Sequence, residues 1–454
     1  MKDKPENIDM SNLIFKTKET PVDFNAVETV IRESGIPNVG RASIREVVRM
    51  INIIEGKTGM KYVRMEMGIP GLPTPKIGVD AEIEAIKNGV NSKYPMLEGL
   101  PELKNEIARF VKLFLNHEVD PYGCVPTVGS LQGSMAAFIT INNSCDDRDT
   151  TLFIDPGFPV HKLQLDVLGK KVESFDVYDY RGEKLRDKLE SILSKGHVHS
   201  ILFSNPNNPS WVCMTDMELK IIGEMANKYD VIILEDLAYF GMDFRKDYSK
   251  PGVEPYQPSV AKYTENVIHL ISGSKMFSYP GPRLGMMVMS NKLQKLKRPA
   301  LKRFYPTDLF GYSMIYGTIY ALTAGASNSG QYGLCAILKA VNDGTYNYKD
   351  DVIEYGKKAE IMKKLFTDNG FNIVYDKDLG EPIADGFYFT IAYPGMSGDE
   401  LLERLMFYGI SAITLTTTRS ERNEGLRACV SLVNRSQFPD LEARLKKFNE
   451  HYGN

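Results

Sequence analysis

The chain reads as an α/β protein: a mostly parallel sheet flanked by helices, joined to a smaller α+β unit. Three observations predict this. Short apolar runs alternate with amphipathic helical stretches between about 150 and 290, the pattern that lays parallel strands side by side. The runs "VIHLIS" (267–272) and "LGMMVMS" (284–290) are joined by a loop too short for a helical crossover, so the second strand is antiparallel to its neighbour. From about 350 the order becomes helix, "FYFTIAYP" (387–394), helix, "LRACVSLV" (426–433), which reads as a separate α+β unit.

The elements follow in chain order. The start, "MKDKPENIDMSNLIFK", has no apolar core of signal-peptide length. Up to about residue 70, short helical patterns alternate with proline breaks, and this segment could complete the α+β unit. "GLPELKNEIARFVKLFLN" (99–116) places Leu100, Leu103, Ile107, Phe110, Val111 and Phe114 on one helical face. Strands are read at "TLFID" (151–155), "SILFS" (200–204), "DVIILED" (230–236), 267–272 and 284–290. The amphipathic helix "MELKIIGEMANKYD" (217–230) leads directly into one of them. The richest apolar stretch, "LFGYSMIYGTIYALTAGASNSG" (309–330), is broken by glycines and polar residues. It reads as a buried helix or a subunit contact and not as a membrane span.

Composition narrows the function classes. The 454 residues are 43% hydrophobic and 25% charged, an ordinary globular balance. A net charge of −3 implies no nucleic-acid partner, and the basic run "KLQKLKRPALKR" (292–303) reads as a solvated helix face. The five cysteines are isolated and odd in number, which fits a reducing cytoplasm better than a disulfide framework. The six histidines show no ligand spacing, so no metal is expected; His197 and His199 alternate before a strand without making a site. No GxGxxG follows a strand, and neither a GxSxG elbow nor a GKS or GKT loop occurs.

In open α/β sheets, ligands bind beyond the carboxyl ends of the strands. Four of the predicted strands deliver distinct chemistry there. "PGFP" follows 151–155, "NPNNPSW" follows 200–204, and Asp236 with Tyr239 ends 230–236. "SGSKMFSYPGPRLG" (272–285) begins at the last residue of strand 267–272. A lysine such as Lys275, held in a desolvated site, can lose its proton and attack a carbonyl. Ser272, Ser274 and Arg283 around it suit a phosphate dianion. The Gly-Ser entry to the apolar helix in "VGSLQGSMAAF" (128–138) adds backbone N–H groups that favour an anion. Asp236, if buried, needs a cationic partner, and a protonated pyridine nitrogen is one. An aldehyde, a phosphate and a pyridine are the reactive features of pyridoxal phosphate.

These motifs resemble those of fold-type I pyridoxal phosphate enzymes of the class I/II aminotransferase family, in order, over roughly 60 to 435. "SGSKMFSYPGPRLG" matches the family's lysine motif, "NPNNPS" its Asn-Pro signature and "DLAYFG" its Asp-x-x-Tyr. "YPMLEGLPELK" (94–104) matches a helix-entry motif, and "LRACVSL" the strand bearing a carboxylate-binding arginine. The resemblance implies that Lys275 holds the cofactor as an internal aldimine and then serves as general base. Asp236 would keep the pyridine nitrogen protonated, Tyr239 and Asn208 would bond the phenolic oxygen, and Phe158 would stack on the ring. Ser130, Leu131, Ser272, Ser274, Arg283 and a second subunit's Tyr94 would surround the phosphate. Arg427, with Asn208, Gly68 and Ile69, would hold the amino-acid substrate.

The resemblance also implies the pyridoxal phosphate-dependent transferase fold: a large domain (72–345) with a seven-stranded, mostly parallel sheet and a small α+β domain (1–71 with 346–454). It implies a homodimer with shared sites, and transfer of an amino group from an L-amino acid to a 2-oxo acid. A lyase carrying out β-elimination on the same fold, and a pyridoxal phosphate-binding protein without turnover, are the alternatives. One departure stands out. The family follows its Asn-Pro with Thr-Gly, where this chain has Ser210-Trp211, its only tryptophan. Glycine's backbone freedom is lost there, which puts the shape of the loop in question.

Overall fold

The computed structural model describes residues 15–453; residues 1–14, on which most of the reading of the chain's start falls, lie outside them. Seven strands form the main sheet: β2 (Cys124–Val128), β3 (Thr150–Asp155), β4 (Lys171–Asp176), β5 (Val198–Ser204), β6 (Ile232–Leu237), β7 (Val267–Ser272) and β8 (Leu284–Met289). A short β1 (Val63–Arg64) precedes them. The order is β2-β8-β7-β6-β5-β3-β4, and only β8 runs against its neighbours. The antiparallel turn expected before 284–290 is therefore present.

The five strands read from the sequence are the five inner ones. Each is covered on both faces, so it appears as an unbroken apolar run. The two strands the pattern missed are the edges. β2 carries Pro126, which a sheet tolerates at an edge because proline donates no ladder hydrogen bond. β4, "KVESFD", exposes Lys171 and Ser174 to solvent and holds too few apolar residues to announce itself.

Helices cover the sheet. Pro101–Leu115 buries Leu103, Ile107, Phe110, Val111 and Phe114, five of the six residues of the predicted stripe; Leu100 precedes the helix as its half-buried N-cap. Asp216–Tyr229 starts on a capping box in which Thr215 and Glu218 satisfy each other's backbone N–H groups. The 309–330 stretch is helical from Phe310 to Thr323, with a π-helical segment at Ser313–Ile319, and a second helix starts at Asn328. Phe310, Met314, Ile315 and Ile319 sink into the apolar layer beneath the sheet. Among the described residues no helix is long and apolar enough to cross a membrane.

Past residue 345 a four-stranded antiparallel sheet forms, ordered β14-β15-β12-β9, from β9 (Asn372–Ile373), β12 (Tyr388–Ala392), β14 (Ile413–Thr414) and β15 (Gly425–Cys429). β10 (Lys377–Asp378) and β11 (Glu381–Pro382) make a small hairpin. β13 (Ile410–Ser411) pairs in parallel with β1, tying the N-terminal segment to this part of the chain. The predicted strands overran: β12 stops short of Pro394, and β15 stops at Cys429.

Candidate active site

The carboxyl ends of β5, β6 and β7 place the central groups. Register pairs Ser204 with Asp236 and Asp236 with Leu270, so three strand ends lie side by side. The Asp236 carboxylate is buried. It accepts hydrogen bonds from the Ser204 hydroxyl at 3.0 Å and the Ala238 N–H at 3.1 Å. The His161 imidazole lies 3.3 Å from Oδ2, the oxygen that also accepts from Ser204. His161 and Ser204 were not singled out in the sequence. His161 follows Phe158 by three residues, one helical turn, which is the only sequence signal it had.

Lys275 stands on the one-turn helix Gly273–Met276 that follows β7 directly. Its ammonium donates to the Gly68 carbonyl and lies 5.5 Å from the centre of the Phe387 ring. Burial pulls its pKa down to about 8, and the positive charges of Arg427 and Arg283 act in the same direction. The Ser272 hydroxyl accepts the Ser274 N–H at 3.2 Å.

β2 ends at a left-handed Gly129 (φ 66°), which turns the chain into the helix Gly129–Ser144. Ser130 and Leu131 are therefore first-turn residues, half-buried. A side chain on Gly129 would meet the Arg283 guanidinium at 2.7 Å, so the arginine lies against this helix start. The Gly129 N–H donates to the Arg283 carbonyl at 3.0 Å. Gly285 in β8 passes so close that a Cβ there would meet Ser130 N at 2.5 Å. Phe158 caps the helix Pro159–Val167, its ring 5.7 Å from His161 and edge-on to it.

Arg427 reaches in from β15, 2% exposed. Its Nη2 donates to the Glu66 carbonyl at 2.7 Å and its Nη1 to Asn208 Oδ1 at 3.4 Å. Its Nε is buried with no acceptor among the described residues. The segment 66–69 thus touches both Arg427 and Lys275. Gly68 lies beside Tyr388, and Ile69 is 45% exposed at the rim. Tyr94, by contrast, is 96% exposed and outside the cluster.

Trp211 resolves the question its position raised. It keeps the left-handed backbone (φ 64°) that suits glycine, so the loop turn survives the larger residue. Its indole is fully buried, 5.4 Å from the Tyr239 ring and 6.1 Å from that of Tyr388. It lies flush on Gly386, where a Cβ would fall 2.0 Å from the indole. Elsewhere, His199 bonds Asn142 and His197 pairs with Glu173. Among the described residues no group of three or more metal-ligating side chains converges.

The donor set fits pyridoxal phosphate. Asp236 is a buried acid that a ring cation completes, and the start of the helix Gly129–Ser144 with Arg283 suits a phosphate. Lys275 holds a proton loosely enough to act as an amine nucleophile at neutral pH. A mostly parallel sheet presenting these groups at its carboxyl edge defines the pyridoxal phosphate-dependent transferase class. The sequence profile described as "Aminotransferase class I and II" matches residues 61–380, and the chain belongs to that family.

Similar proteins agree. A probable aspartate aminotransferase of Methanocaldococcus jannaschii is 25% identical over 72% of this chain and 86% of its own length. An LL-diaminopimelate aminotransferase of Halothermothrix orenii is 29% identical over 60% of this chain and 68% of its own. The crystal structure of an aspartate aminotransferase from Thermotoga maritima superposes with a TM-score of 0.72 at 17% identity, covering 93% of this chain and 99% of that one. This last likeness shows the fold.

Proposed function

We propose that this aminotransferase works through Lys275, taking an amino group from an L-amino acid and giving it to a 2-oxo acid. The observation that carries the reading is the pairing of a lysine of lowered basicity after β7 with a buried carboxylate ending β6. Pyridoxal phosphate, when bound, supplies an aldehyde and an electron-accepting ring. Asp236 holds the ring nitrogen's proton, with Ser204 and His161 keeping the carboxylate aimed. Tyr239 and Asn208 donate to the phenolic oxygen, and Phe158 covers a ring face. Ser130, Leu131, Ser272, Ser274 and Arg283 hold the phosphate. Arg427, beside Gly68 and Ile69, binds the substrate carboxylate, its unmatched Nε supplying a donor. The Lys275 amine removes the proton from the substrate α-carbon.

The large domain in this reading spans 72–345, and the small domain joins the N-terminal segment to 346–454. The protein acts as a cytoplasmic homodimer, with Tyr94 completing the second subunit's phosphate site. Five free cysteines and the exposure of Tyr94 support these last points.

The test is direct. Borohydride treatment of the loaded protein should tag Lys275 and no other lysine. In loaded protein that has not been reduced, each site should yield one equivalent of 2-oxo acid from an L-amino acid without an acceptor, and turn over only when an acceptor is added. A tag on another lysine, or pyruvate and ammonia released without acceptor, overturns the proposal.

A further inference from the structure

Tyr388 touches three residues of the site. It lies on β12, fully buried, paired in register with Cys429 of β15. Its hydroxyl is 2.7 Å from that of Tyr239. The Arg427 guanidinium sits 4.5 Å from its ring centre. A Cβ on Gly68 would lie 1.9 Å from its hydroxyl, so only glycine lets the 66–69 segment cross there. Trp211 and Phe387 pack edge-on against the same ring.

We propose that Tyr388 is a positioning residue that orients the Tyr239 proton and the Arg427 guanidinium together, coupling carboxylate binding to hydrogen bonding at Tyr239. The inference rests on the reading that Tyr239 donates to the cofactor's phenolic oxygen.

A hydroxyl has one proton to give. Tyr239 can give its own to an acceptor in the site and keep its bond to Tyr388 only if Tyr388 donates to Tyr239. Arg427 over the Tyr388 ring draws charge from the phenol and makes it the stronger donor. That strengthens Tyr239 in turn, because hydrogen bonds in series polarise one another. A carboxylate arriving at Arg427 offsets the cation and weakens the series. The charged and titratable groups acting on the two tyrosines are Arg427 and Cys429, both on β15, and burial keeps the Cys429 thiol protonated.

Two variants of the cofactor-loaded enzyme test this. Tyr388→Phe keeps the ring beneath Arg427 and loses the hydroxyl. Its cofactor absorbance should titrate with a midpoint raised by a few tenths of a pH unit, because the Tyr239 hydrogen bond to the deprotonated form stays and loses only the polarising donor behind it. Its KM for the amino acid should stay near the wild-type value. Tyr388→Leu should shift the midpoint equally and also raise KM by about three- to thirty-fold through loss of the cation–π contact. An unchanged midpoint in Tyr388→Phe overturns the proposal, as does a Phe variant that no longer takes up cofactor, because the hydroxyl would then be structural. A wild-type protein that takes up no pyridoxal phosphate sinks the reading of Lys275 itself and is told apart by that control.

Discussion

Lys275 is placed so that its charge is expensive to keep. Burial lowers its pKa from 10.5 to about 8, so roughly a tenth of the amine is neutral at pH 7, against a few parts in ten thousand for an ordinary lysine. Capture of pyridoxal phosphate by the unloaded protein should speed up roughly tenfold per pH unit below that midpoint and level off above it. Stopped-flow absorbance measures this, and a flat profile contradicts the site. The unfolded chain binds a proton here between pH 8 and 10.5 that the folded chain has released, so stability owed to this group rises with pH across that window. Lys275→Ala should lose at least ~10²-fold in turnover, the scale of general acid–base catalysis. Its cofactor should leave on denaturation without borohydride treatment. Asp236→Ala should retain cofactor poorly and turn over far more slowly, checked by dialysis and steady-state rates; an unchanged rate would give the ring nitrogen another partner. Lys275, Asp236, Asn208 and Arg427 could be named as candidates because each sits in a short local motif: the first three at or just past a strand end, Arg427 within β15. Ser204 and His161 could not. Their contacts with Asp236 span 32 and 75 residues and leave no spacing to read. Tyr388 was hidden likewise, 149 residues from Tyr239.

Among the elements, the same contrast separates inner strands from edges. Two-sided burial writes an apolar run into the sequence, whereas an edge strand keeps proline or charge and reads as loop. The loop after β5 makes one contact that sequence could not foretell, the seating of Trp211 on Gly386. Neither residue tolerates change alone. Gly386→Ala should destabilise by roughly 1–3 kcal/mol, because the indole cannot retreat from a new Cβ. In a Trp211→Gly background the same change should lose most of that penalty. Urea denaturation of the four proteins in the cycle gives the coupling, and simple additivity would mean that the two residues are not in close contact in solution. Trp211→Gly alone should destabilise by about 3–5 kcal/mol through the cavity it leaves.

At the scale of the whole molecule, the helix Lys76–Lys87 exposes Ile77, Val79, Ile83 and Ile86, and Tyr94 and Met96 follow on the same stretch of chain. So much exposed apolar side chain on one stretch suits burial against another surface. If two copies share sites as proposed, Lys275→Ala and Tyr94→Phe chains should complement. A hybrid dimer holds one site with its own Lys275 and an intact Tyr94 from the other copy, so mixing two impaired variants should restore wild-type kinetics in part of the population. Steady-state assays after co-expression decide it, and no recovery argues against shared sites. The chain's single indole lies sealed against the tyrosine face of the pocket. Indole emission from the intact protein therefore comes from one spot beside Tyr239, and cofactor bound where we propose should quench it.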